Sequence, residues 1–266
     1  MKILLKLAIF LPGIIYFSCE KTVDMDFPRT QSLIVVDGWI EQGSSPKVLI
    51  TRSLPYFSEI DTASFRNLVI SKAKVIVRGN GASEILTLHY DERYFPPYVY
   101  QGFQIQGVAE ETYHLEIHIG SDTLTAETTI PKPPEIDSLW TIPHPEKDTL
   151  KQVMVQFNDD PESEDYYRLF SKIKGLDTYY KASYGSVFSD HSINGSTVSF
   201  PLFKGYTTEQ SKEDLYFSSQ DTVRIKFCTM AETSYGFWKS FQSEHMNSLN
   251  PFASSAIEIE GNINGR

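Results

Sequence analysis

Apolar and polar residues alternate in short runs along most of this chain. Leu33 and Val35 fall in one run, Ser32–Ile40, and Val48 and Ile50 in a second, Lys47–Ser53, with the turn-rich Gly43-Ser-Ser-Pro46 between them. A period of two puts alternate side chains on one face, so each run predicts a half-buried strand. Ala73–Arg78 predicts a third strand and ends at Gly79-Asn80-Gly81, a strong hairpin signal, after which Glu84–Tyr90 returns. In Thr112–Ile119 the residues Tyr113, Leu115, Ile117 and Ile119 share one face, and His114, Glu116 and His118 share the other. Gly120-Ser-Asp122 then turns the chain into Thr123–Ile130. About seven short strands separated by turns, in roughly 100 residues, predict an immunoglobulin-like β-sandwich over 32–130. Tyr113, opening its strand after a polar turn, is placed to act as a tyrosine corner.

Pro131-Lys-Pro-Pro134 interrupts the pattern and predicts a stiff extended linker over 131–134. A second β-rich module is expected over 135–266. Leu139–Ile142, Gln152–Phe157, Tyr166–Ile173 and Val223–Thr229 read as its strands, whereas Gly175–Gln220, rich in Ser, Gly, Thr and Tyr, has only a weak pattern. Ala231–Asn247 places Tyr235, Trp238, Phe241, Gln242 and His245 at three- and four-residue spacing and predicts one α-helix over 231–247. Ile257–Ile259 is expected to be a closing strand. The fold class is thus mainly β: two tandem β-sandwich modules, the second with one helix near its C-terminal end.

The N-terminal segment has a different period and a different meaning. Lys2 and Lys6 precede an apolar run, Leu7 to Phe17, that is broken by Pro12-Gly13 and followed by Ser18 and Cys19. Basic, apolar, then small residues are the order of an export signal, and the run is too short to span a bilayer. A small residue directly before a cysteine points to a thiol that is acylated and becomes the new N-terminus. Residues 1–18 are therefore expected to be a lipoprotein signal peptide, and 19–31 the acylated Cys19 with its tether. Removal of 1–18 takes two lysines and no acids, which leaves 22 basic against 34 acidic side chains. Such a surface repels phosphate backbones, so a nucleic-acid partner is not expected. The other cysteine, Cys228, lies in an alternating run and reads as a small buried residue.

Several segments together resemble a known family. They are Ser18-Cys-Glu-Lys with Val23-Asp-Met-Asp26, Leu33-Ile-Val-Val-Asp-Gly38, Tyr113-His-Leu-Glu-Ile and Thr129-Ile-Pro-Lys-Pro133. Phe157-Asn-Asp-Asp-Pro161, Tyr166-Tyr-Arg-Leu169 and Ile259-Glu-Gly-Asn-Ile-Asn-Gly265 continue the match. In order and spacing the chain resembles the Bacteroidota family catalogued as domain of unknown function 4249. The resemblance implies an outer-membrane lipoprotein on the periplasmic or cell-surface face, encoded beside TonB-dependent receptors and without an established activity. It also implies a further short strand beyond the Gly-rich closing motif, where this sequence ends at Arg266.

Candidate chemistry is sparse. Tyr94-Phe-Pro-Pro-Tyr-Val-Tyr100 with Phe103 crowds five aromatics into a proline-stiffened segment. Exposed, Tyr94, Phe95, Tyr98, Tyr100 and Phe103 would contact a ligand or partner; buried, they would cover one end of the first sandwich. His114, Glu116 and His118 are weak metal candidates that would need a further ligand, for which His89 is nearest. Asn158–Asp165 packs five carboxylates into eight residues but lacks the central Gly and terminal Glu of a dedicated calcium loop, so it reads as a solvated turn. No nucleophile elbow, zinc-protease helix or phosphate-binding glycine loop occurs, and no cofactor is expected. The chain is therefore expected to be a non-enzymatic, lipid-anchored binding or accessory protein, attached to the membrane through Cys19 and partnered by an outer-membrane β-barrel receptor. A structural surface-fibre or adhesin subunit is the alternative, and an uncharacterised enzyme the third.

Overall fold

The computed structural model describes residues 32–54, 68–205, 215–248 and 259–265, with side chains of the helix only as far as residue 244 and without that of Tyr184. The expected signal peptide and the whole of the expected tether, Cys19 included, lie outside these residues.

Seven strands of the N-terminal half are β1 (Ile34–Trp39), β2 (Lys47–Arg52), β3 (Lys74–Gly79), β4 (Ala82–Tyr90), β5 (Tyr98–Gln101), β6 (Thr112–Ile119) and β7 (Asp122–Thr129). With the C-terminal β15 (Asn264–Gly265) they form one sheet in the order β1-β2-β5-β4-β3-β6-β7-β15. Strand β4 is where it curls. Its first half, Ala82–Leu86, pairs with β3, and its second half, Thr87–Tyr90, pairs with β5. The layers on either side of that bend enclose a core of Val48, Ile50, Val75, Val77, Leu86, Tyr100, Tyr113, Ile117 and Leu124. All but Tyr100 are apolar positions of the alternating runs, so the period of two fills most of this core. The hairpin at Asn80-Gly81 has φ of 49° and 69°, the left-handed pair that a two-residue turn demands.

Residues 131–137 carry no regular structure. Beyond them come β8 (Ser138–Pro143), β9 (Leu150–Asn158), β10 (Tyr166–Ile173), β11 (Lys181–Ser189), β12 (Thr197–Leu202), β13 (Phe217–Ser218) and β14 (Val223–Met230). Strand β9 pairs with β8 on one side and with β12 and β13 on the other, and a separate sheet runs β11-β10-β14. A second core lies between them: Val153, Val155, Leu169, Ile173, Leu202 and Phe217. Phe157 sits at its end with the rings of Tyr167, Phe200 and Phe227 edge-on at 4.9 to 5.9 Å. Helix α1 (Glu232–Ser248) follows β14 and packs on β10 and β11. Glu232 in its first turn complements the helix dipole.

The fold is thus mainly β, with curled sheets of the sandwich kind and a helix near the C-terminal end. Three expectations are corrected. Tyr98–Gln101 is a strand rather than part of a loop, because its backbone pairs with β2 and β4. The weakly patterned stretch after Gly175 holds β11 and β12, whose polar and small residues obscure alternation. The chain's closing strand is Asn264–Gly265 against β7, and Ile259 is in no strand; Ile257 lies outside the described residues.

Candidate functional site

The β4–β5 hairpin carries the aromatic segment, and the structure divides its rings. Tyr100 is 3% exposed and belongs to the core, its hydroxyl donating to the Ile70 carbonyl at 2.8 Å and accepting from the Ala73 N–H at 3.1 Å. Tyr98 and Tyr100 share a face of β5, and Val99 between them is buried as well, so this strand is covered on both sides at Tyr100. Tyr94 and Tyr98 are half-buried, Tyr94 against Trp39 at 5.4 Å and Tyr98 against Tyr90 at 5.5 Å. Phe95 and Phe103 are the most exposed rings of the segment, at 70% and 61%, and Tyr90 is 61% exposed.

Both phenylalanines stand on rigid supports. Around Phe95, the Arg93 guanidinium forks onto Asp91 at 2.6 to 3.1 Å, while the Asp91 N–H donates to the Pro97 carbonyl and the Tyr94 N–H to the Asp91 carbonyl. The Arg93 bonds hold the Asp91 carboxyl well down, at about 2. Phe103 is held from beneath by Glu84. The Phe103 and Gln104 N–H groups donate to its Oε1 at 2.6 and 3.0 Å, and the Ile105 N–H to its Oε2 at 2.9 Å. Gly102 makes room, since a Cβ there would meet Glu84 Oε2 at 2.8 Å. Glu84 is 7% exposed under the thin cover of that loop. Burial alone would raise its carboxyl, but the three backbone donors outweigh it and leave it lowered. The Phe103 ring meets His89 edge-on at 5.1 Å, and His89 Nε2 shares a hydrogen bond with Thr87 Oγ1 at 2.7 Å.

His114, Glu116 and His118 do share a face of β6, but they do not converge. His114 Nδ1 pairs with Glu127 at 3.0 Å, while Glu116 takes Arg78 at 2.5 Å and His118 Nε2 at 2.6 Å. Residues four apart on a strand are about 13 Å apart, too far for both imidazoles to ligate one ion. Arg78 first, then His118, lowers the Glu116 carboxyl.

Carboxylates come together elsewhere. Asp159 and Asp165, from the two ends of the β9–β10 connection, meet Asp190, just after β11, with one oxygen of each within 4.8 Å of the others. The first two belong to the segment expected as a solvated turn, and no local pattern points to Asp190, because the contact is made only by the pairing of β10 with β11.

A polar junction lies on the outer face of β10 and β14. The Arg168 guanidinium stacks over Trp238 of α1, its Nε is buried with no hydrogen-bond partner, and burial lowers its pKa to about 10. Asp37 of β1 feels the Arg168 charge, but desolvation by neighbouring protein outweighs that pull and raises its carboxyl. Lys226 bridges to Glu41 at 2.5 Å nearby. Cys228, opposite Arg168 in the register, is half-buried and its thiol is raised by burial, as suits a packing residue.

A family model described as Domain of unknown function (DUF4249) matches residues 20–265. No curated protein matches the chain.

Proposed function

The chain belongs to the DUF4249 family, and on that premise we propose that it is a lipid-anchored, non-enzymatic binding or accessory protein of the bacterial outer membrane, working beside a TonB-dependent receptor. The observation that carries the reading is the pair of exposed rings, Phe95 beside the Asp91–Arg93 ion pair and Phe103 on a backbone that donates to Glu84. Large apolar rings carried on a backbone that is already hydrogen-bonded lose less entropy on binding, which is how interface anchors gain affinity. Acyl chains on Cys19 supply the address, and several chains together hold a protein stably on a bilayer. About ten tether residues reach at most roughly 35 Å, so the partner is one embedded in or lying close to the same membrane.

The test is a pull-down of the acylated full chain from detergent-solubilised membranes after cross-linking. Recovery of an outer-membrane β-barrel protein, lost in the Phe95→Ser/Phe103→Ser double variant, is the expected outcome. Recovery of no β-barrel partner by the unmodified chain would sink the reading.

A second reading, a surface-fibre or adhesin subunit, is favoured by β8. Among the described residues this strand pairs with β9 alone, and Leu139, Trp140 and Ile142 are all exposed along it. An apolar edge strand is a template for strand addition. Native extracts that contain the protein only as a monomer would remove this reading.

A further inference from the structure

Three carboxylates crowded together without a counter-ion need an explanation. Among the described residues no lysine or arginine forms an ion pair with Asp159, Asp165 or Asp190. Each carboxylate is nevertheless held in place. Asp159 accepts from the Tyr167 hydroxyl on Oδ1 at 2.6 Å and from the Gly195 N–H on Oδ2 at 2.8 Å. Asp165 accepts from Ser163 Oγ on Oδ2 at 2.6 Å, and Asp190 accepts from the Asp165 N–H on Oδ2 at 2.7 Å. Outer donors that fix carboxylates in orientation while their remaining lone pairs converge are what surrounds a bound metal ion.

The independent sign is Asp190. It is 1% exposed, it points into the cluster, and its Oδ1 has no hydrogen-bond partner. A buried carboxylate oxygen without a donor is costly, and an ion within reach removes that cost. From this geometry we infer that Asp159, Asp165 and Asp190 form a calcium site. Three oxygens within 4.8 Å of one another lie no more than about 2.8 Å from a common point, so shifts of a few tenths of an ångström bring all three to the calcium distance of about 2.4 Å. An all-oxygen, triply anionic set selects a hard cation over zinc or copper. Asp165 also lines an open cleft of about 380 Å³ whose wall includes Glu164 and Glu232, so further carboxylates stand beside the cluster.

The ion would fasten the β9–β10 connection to the β11–β12 connection at one end of the second sandwich. This inference stands independently of Cys19, Phe95 and Phe103. For the test, the full chain is purified in detergent, stripped with EGTA and titrated with CaCl2 by calorimetry, with melting followed in parallel. Expected are one saturable site per chain, at about 10⁻⁵ to 10⁻⁴ M, and a higher melting temperature with calcium. Asp190→Asn and Asp165→Asn should each weaken binding at least tenfold, whereas Glu162→Gln, in the same loop but outside the cluster, should bind unchanged. Should Asp190→Asn fail to fold, the half-buried Asp165→Asn decides. No saturable binding at millimolar calcium would overturn the site. So would aspartate variants that bind normally, a Glu162→Gln loss as large as theirs, or tighter binding of magnesium than of calcium.

Discussion

The Arg168 guanidinium carbon lies 3.5 Å from the centroid of the Trp238 ring, which makes one cation on β10 the seat of helix α1. Tyr235, one turn earlier, adds a ring contact to Tyr166 at 4.7 Å. Trp238→Ala removes the ring from a half-buried cation that has no hydrogen-bond partner for its Nε. The expected loss is about 2–3 kcal/mol of stability, read from the urea midpoint. Arg168→Lys should recover part of that contact only, since an ammonium has no planar face to stack. A midpoint unchanged by Trp238→Ala would show that α1 is held some other way.

Glu84 links the pH dependence of folding to the presentation of Phe103. Its carboxyl titrates below the ordinary value of 4.5 in the folded chain. The unfolded chain therefore takes up the proton more readily, and the stability Glu84 confers is full above that ordinary value and lost as pH falls through the lower folded one. Glu84→Gln should cost about 2–4 kcal/mol near neutral pH, because the backbone donors lose a charged acceptor. Its denaturation profile should also be flatter in acid than that of the parent chain.

Gly79 sits directly under the Tyr113 ring. A Cβ at Gly79 would come 2.3 Å from Tyr113 Cδ1, and the ring is fixed because its hydroxyl accepts from the Val108 N–H at 2.9 Å and donates to the Gln106 carbonyl at 3.3 Å. Gly79→Ala is expected to destabilise by at least about 1–3 kcal/mol through overpacking. Tyr113→Phe keeps the packing and strands the Val108 N–H, at a cost of about 1–3 kcal/mol. Thermal melts of the two variants check both values, and an unshifted Tyr113→Phe would count against the corner.

Cys19→Ala removes the thiol on which acylation depends. The variant should fail to incorporate labelled palmitate and should leave the membrane fraction, while the circular dichroism of the folded part stays the same. Retention on the membrane without label would mean that something other than acyl chains holds the chain there.

Alternation in the sequence was enough to place β1 to β4, β6 and β7, and the spacing of Tyr235 and Trp238 was enough to place α1 within a residue at each end. It determined these because a side chain's face follows from local backbone geometry, and the Asn80-Gly81 turn and the Tyr113 corner are likewise built from near neighbours. What local pattern leaves open is which distant groups meet. The sorting of Tyr100 into the core and Phe103 into solvent depended on β5 pairing with β2 and β4. The clasp of Glu84 on residues 103–105 depended on the curl of the sheet. The approach of Asp190 to Asp159 and Asp165, and of Trp238 to Arg168, depended on how β11 and α1 pack on β10. Strand faces are written at a range of two residues, but these sites join residues 19 to 70 positions apart, and only tertiary pairing brings those into contact.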